Sequence, residues 1–214
     1  MKYKAILFDM NGVLVDDEHL QEEAFRQTLS QINISLTSED YIRFFIGKTD
    51  HKGFDDYLQS LNINRNADSL IIQKGEEYEK LASTGIEGYS GVEEFIEAAT
   101  KQGVSLAVVT SSTKREAISV LAGLGLTHYF KSIIAADDVK NGKPDPEGYI
   151  KGAASLSVNP SECIVIEDTP SGLKAAKAAH MFSVAVLNTH NPDELSDANI
   201  VVKELSVTLI KGLI

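Results

Sequence analysis

The chain has 214 residues, 43% of them hydrophobic, and carries 31 acidic against 20 basic side chains for a formal charge of −11. That is enough for one sizeable core, or a core with a smaller insert, and the acidic balance argues against nucleic acid or a membrane surface as partner. The single cysteine, Cys163 in CIVIE, excludes an intrachain disulfide and reads as a small buried residue. In chain order, the first apolar run, AILF at 5–8, predicts a strand that ends on Asp9 and turns at Asn11-Gly12. From 16 to 85 the apolar positions recur at helical spacing, as in Leu20, Ala24, Phe25 and Leu29 or Tyr57, Leu58 and Leu61, with no strand-like run. Turn signals at Thr84-Gly85, Gly88 and Ser90-Gly91 mark the return. Helical stretches at 92–101, 114–124, 147–154 and 171–179 then alternate with β-branched runs at 105–109, 132–135, 163–166, 183–187 and 199–202. Strands alternating with helices predict an α/β fold: a Rossmann-like, doubly wound parallel sheet over 1–15 and 86–214, with a helical-bundle cap of residues 16–85 inserted after the first strand.

In an open parallel sheet, ligands gather at the carboxyl ends of the strands. Those ends carry Asp9-Met10-Asn11-Gly12, Thr110-Ser111-Ser112, the more distant Asn141-Gly142-Lys143-Pro144, and Glu167-Asp168-Thr169. Taken singly, a strand-end Asp or Thr is often a helix cap, and a lone lysine is often solvated. Together, carboxylates, hydroxyls and an ammonium at one sheet edge suit a hard cation such as Mg²⁺ beside a tetrahedral anion. Asp9 could then attack phosphorus, its charge screened by Lys143 and the cation.

FDMNG, VVTSS, the lysine of GKPDPEGYIKGAASL and VIEDTPSGLKAAKAA resemble the four ordered motifs of the haloacid dehalogenase superfamily, in its β-phosphoglucomutase-like branch with a helical cap. The resemblance covers nearly the whole chain and implies a Mg²⁺-dependent phosphatase. It makes Asp9 the nucleophile that becomes an aspartyl-phosphate. Asn11 takes the position that offers a backbone carbonyl to Mg²⁺. Thr110, with Ser111, would bind the transferring phosphoryl group, Lys143 would bridge nucleophile and phosphate, and Glu167 and Asp168 would hold Mg²⁺ with Asp9. In the cap, Gly47, Lys48, Thr49, Asp50 and Lys74 fall where relatives recognise the rest of a substrate, and His51 and Lys52 are further candidates on the cap surface. The expected partner is a small phosphorylated metabolite, the expected state a monomer or weak dimer, and hinges are expected near Asp16-Asp17 and Thr84-Gly85. MKYKAILFD meets an acid too early for a signal peptide, so the expected location is cytoplasmic.

Two positions depart from the family pattern. The usual acid–base Asp is Asn11, and the histidine of a D-S-E-x-x-H pattern is Gln21, with His19 on a different side of the helix. An amide neither gives nor takes a proton at neutral pH, and general acid–base help is worth roughly 10²–10⁴-fold. The expectation is attenuated activity on sugar phosphates, better turnover of esters with good leaving groups, and a gain on alkyl phosphates in Asn11→Asp. Other readings are a non-catalytic or stalled phosphate-binding module, a phosphonoacetaldehyde-hydrolase-like enzyme using Lys48 or Lys52, and a sugar phosphomutase. Retention of Asp9, Lys143 and Asp168 favours surviving hydrolytic chemistry.

Overall fold

The computed structural model describes residues 2–83 and 85–214; Thr84, one of the expected hinge residues, lies outside the described residues. Six strands form one parallel sheet in the order β3-β2-β1-β4-β5-β6, with β1 Ala5–Phe8, β2 Ser105–Val109, β3 Ser132–Ile134, β4 Cys163–Glu167, β5 Phe182–Val186 and β6 Ile200–Val202. Strand β1 sits in the middle, and its neighbours β2 and β4 lead the chain away in opposite directions. Its carboxyl end is therefore the topological switch point where such sheets bind ligands.

Alternation along β1 explains the two layers. Ile6 and Phe8 face one side, against Phe95, Ile96, Val120 and Leu121 of α5 (Val92–Lys101) and α6 (Lys114–Gly123). Ala5 and Leu7 face the other, with Tyr149 and Ala153 of α7 (Glu147–Ser155) and Ala175 and Ala176 of α8 (Pro170–Ala178). All four β1 residues are fully buried, as a strand covered on both faces requires. Helix α7 comes close enough to the sheet that a Cβ on Gly152 would lie 3.0 Å from Val109 Cγ2.

Helices α1 (Glu18–Ser30), α2 (Ser38–Phe44), α3 (Asp50–Ser60) and α4 (Asp68–Ala82) fill the chain between β1 and α5. They enclose an apolar cluster of their own, built on Phe25, Tyr41, Phe45, Phe54, Tyr57 and Leu70. Thr37 and Thr49 start α2 and α3 by accepting the backbone N–H of Asp40 and Lys52. Where the chain leaves and re-enters the core, Asp16 N–H donates to Glu87 O and Tyr89 N–H to Leu14 O, so the two crossings pair.

Some boundaries differ from expectation. Strand β3 stops before Ala135, whose N–H turns to the Asp138 carboxylate instead of the ladder. Helix α8 begins at Pro170, which needs no hydrogen-bond partner at a first helical position, while Thr169 caps it through Gly172 N–H. Helix α9 (Val207–Leu213) was not foreseen, because VTLIKGL mixes β-branched residues with a glycine. Ser206 caps it through the N–H of Leu209.

Candidate active site

Asp9 is the residue after β1, and its N–H donates to Ile166 O of β4, which fixes the carboxylate at the sheet edge. Thr110 follows β2 and is anchored in the same way, its N–H on Ile134 O. Lys143 arrives from the loop before α7. Its Nζ lies 2.8 Å from Asp9 Oδ1 and 2.6 Å from Glu167 Oε1, with only 8% of its side chain exposed. Burial pushes the Asp9 carboxyl up to about 7, with Lys143 pulling it down and Glu167 adding to the rise. Burial alone would lower the Lys143 ammonium, but the two carboxylates beside it hold it above the ordinary lysine range.

Asp9, Glu167 and Asp168 bring carboxylate oxygens within 4.8 Å of one another. The two neighbours on β4's end do different work. Glu167 Oε1 accepts from Lys143 Nζ and from Tyr149 OH at 2.6 Å. Its Oε2 accepts from Asp168 N–H, Thr169 N–H and Thr169 Oγ1. Five donors occupy the lone pairs of this carboxylate, which leaves it no position for a cation. Asp168 accepts Thr189 Oγ1 on Oδ2, while its buried Oδ1 has no hydrogen-bond partner. An orphaned buried carboxylate oxygen beside Asp9 fits an oxygen-coordinated divalent cation. Burial first, then the charges of Glu167 and Asp9, hold the Asp168 carboxyl well above the ordinary range. The fit is tight: Gly12, at φ +75°, leaves room where a Cβ would lie 2.0 Å from Asp168 Oδ2. The carbonyl of Gly12 is held by Asn188 Nδ2 at 2.7 Å.

Asn11 lines the same edge, with its side-chain amide committed to other side chains. Its Nδ2 lies 2.9 Å from both oxygens of Asp17, and its Oδ1 accepts from Ser112 Oγ at 2.9 Å. Asp17 also accepts from Gln21 Nε2 at 3.0 Å and Tyr78 OH at 2.6 Å. Burial raises its carboxyl pKa, and the three donors restrain the rise. Gln21 is thus a buried partner of Asp17, and His19 is exposed.

A cavity of about 60 Å³ between the helical cap and the sheet edge is lined by Asp9, Asn11, Thr110, Ser111, Lys143 and Asp168 from the core. From the cap come Glu18, Phe25, Tyr41, Phe45, Gly47, Lys48 and Asp50. Gly47 and Lys48 therefore reach the site, though Lys48 also pairs with Asp56 at 3.2 Å. Lys52, on the outer side, pairs with the same Asp56 at 2.5 Å. Lys74 does not line this cavity. It is 1% exposed, with Nζ 2.9 Å from Glu116 Oε1 of α6. Asp50 Oδ2 lies 3.2 Å from the same ammonium, angled as an ion pair rather than a hydrogen bond.

Sequence reasoning passed over Tyr149, Thr189, Asn188 and Glu18 as site residues. Asn188 and Thr189 carried a usable signal, because they follow β5 at the same sheet edge. Glu18 is the glutamate of the D-S-E-x-x-H pattern, and Asp17 stands where that pattern has serine.

The fold and site define an α/β protein with a helical insert that presents buried carboxylates and an ammonium together at its switch point. A family model described as haloacid dehalogenase-like hydrolase matches residues 6–186. The chain belongs to the haloacid dehalogenase-like hydrolase family. It is 32% identical over 204 residues to validoxylamine A 7'-phosphate phosphatase of Streptomyces hygroscopicus subsp. limoneus, covering 95% of both chains. It is 36% identical over 176 residues to a phosphorylated carbohydrates phosphatase of Thermotoga maritima, covering 82% of this chain and 81% of the relative. A crystal structure of β-phosphoglucomutase from Clostridium difficile superposes with a TM-score of 0.88 at 27% identity, covering 98% of this chain and 96% of that one.

Proposed function

We propose that this protein is a Mg²⁺-dependent phosphatase that hydrolyses a small phosphorylated metabolite through an aspartyl-phosphate on Asp9. The observation that carries the reading is the pairing of Asp9 with Lys143 at 2.8 Å next to the unpartnered Asp168 Oδ1. A binding site alone would not need a buried nucleophile held against an ammonium. Similarity to two relatives that are phosphatases of phosphorylated compounds supports a phosphate-ester substrate.

In this mechanism Asp9 attacks phosphorus while Lys143 offsets the negative charge that the two anions bring together. Thr110 offers its hydroxyl and Ser111 its backbone N–H, at the end of β2, to the phosphoryl oxygens. Asp9 and Asp168, with the carbonyl of Asn11, would hold Mg²⁺, which supplies positive charge to the transferring phosphoryl oxygens when bound. Phe25, Tyr41 and Phe45 wall the cap side of the cavity and exclude water while the ester is cleaved.

The test is a panel of phosphate esters assayed with and without Mg²⁺, alongside Asp9→Asn. Mg²⁺-dependent turnover that Asp9→Asn abolishes is expected. Turnover unchanged in Asp9→Asn would reject Asp9 as the nucleophile, and no turnover of any ester would replace this reading with that of a phosphate-binding module.

A further inference from the structure

Phosphate-ester cleavage at Asp9 requires a proton for an alkoxide leaving group, and Asn11 has none to give. Its amide is in any case committed to Asp17 and Ser112. Four carboxyl groups line the cavity: Asp9, Glu18, Asp50 and Asp168. Asp9 is the nucleophile, Asp168 points its spare oxygen at the cation site, and Asp50 is paired with Lys74. Glu18 is the one with no such employment. It is half-buried in the first turn of α1, where the cap leaves the core. Among the described residues only Tyr41 OH hydrogen-bonds to its carboxyl, on Oε1. It shares the cavity with Phe25, Tyr41 and Phe45, on the cap side, where the substrate beyond the phosphate must sit if the phosphorus is at Asp9.

We infer that Glu18 is the general acid of this site, protonating the leaving oxygen as Asp9 attacks phosphorus. The inference rests on the phosphatase reading. In the first step the Asp9–phosphorus bond forms, the phosphorus–oxygen ester bond breaks, and the Glu18 proton passes to the alkoxide to give the alcohol. In the second, the Glu18 carboxylate takes a proton from water as the hydroxide oxygen bonds to phosphorus. The aspartyl-phosphate bond breaks, inorganic phosphate leaves, and Asp9 carboxylate and Glu18 acid are restored. The surroundings suit an acid. Burial raises the Glu18 carboxyl pKa, Asp17 and Glu22 of its own stretch add to the rise, and Tyr41 of α2 and Lys74 of α4 oppose it. The charge of Asp50 of α3 also acts on the Tyr41 hydroxyl.

The experiment compares kcat/KM for a sugar phosphate and for p-nitrophenyl phosphate, with Mg²⁺, in wild type, Glu18→Gln and Asp9→Asn. A nitrophenolate leaves without a proton, so the loss in Glu18→Gln is expected to be roughly 10²–10⁴-fold on the sugar phosphate and at least about tenfold smaller on the aryl ester. The wild-type sugar-phosphate profile should fall on the alkaline side as Glu18 ionises, and that limb should vanish in Glu18→Gln. Equal losses on both substrates, or no loss on either, would overturn the assignment. So would a wild type that cleaves the aryl ester and not the sugar phosphate. A second readout needs no variant: across alkyl and aryl phosphates, wild-type kcat/KM should depend only shallowly on leaving-group basicity, and a steep dependence would overturn the assignment. If no Asp9-dependent turnover of either substrate is found, the phosphatase reading itself fails. If Asp9-dependent cleavage survives without the leaving-group signature, only Glu18 is rejected.

Discussion

Replacing Asn11 by Asp changes more than a proton count, because the amide faces the buried Asp17 carboxylate at 2.9 Å from both oxygens. Asn11→Asp sets two carboxylates in contact, and one of them must keep a proton. A folded-state carboxyl with a raised pKa gives stability that is present below its unfolded pKa and lost as pH rises through the folded one. Asn11→Asp is therefore expected to cost about 1–3 kcal/mol in urea denaturation at pH 8, and less at pH 5. Adding Asp17→Ser should recover the loss at pH 8. A cost independent of pH would remove the carboxylate contact as its cause. The gain on alkyl phosphates expected from the sequence is therefore not expected of the single variant, which spends its proton on Asp17 while Glu18 serves the leaving oxygen. Asp9, Thr110 and the Glu167-Asp168 pair were legible in the sequence because each directly follows an apolar strand run. Asp17 and Glu18 were not, because their surroundings come from Tyr78 and Tyr41, far along the chain.

At the scale of elements, Lys74 ties α4 of the cap to α6 of the core. Its ammonium meets Glu116 at 2.9 Å and Asp50 at 3.2 Å, and lies 4.8 Å from the centre of the Phe25 ring. Burial raises the Asp50 carboxyl to about 6 even with this cation beside it. Lys74→Met leaves two buried carboxylates without their cation, which costs about 3–5 kcal/mol when such a pair is broken. The loss should be larger at pH 8 than at pH 5, where Asp50 holds its proton; denaturation at the two pH values measures it. The alternation of strands and helices was readable from period alone. The role of Lys74 was not, because helical spacing shows which face a lysine occupies and not what an element forty residues later brings against it. Helix α9 was missed for a related reason: its β-branched residues disfavour helix locally, and burial of Ile210 against the core overrides them.

For the whole molecule, the proposed function links cation binding and pH through the sheet edge. With its carboxyl raised to about 7, Asp9 binds a proton in competition with a cation below that pH. The Tm increase caused by Mg²⁺ should therefore grow from pH 6 to pH 8, and Asp168→Asn should remove most of it. An increase that is the same at both pH values would place the cation elsewhere. The central claim, that Asp9 carries the phosphoryl group, is tested most directly by mass spectrometry of protein quenched in acid during turnover of p-nitrophenyl phosphate with Mg²⁺. One phosphoryl group on the peptide containing Asp9, absent in Asp9→Asn, is the predicted result. Turnover with the phosphoryl group on another residue, or undiminished turnover by Asp9→Asn, would contradict it.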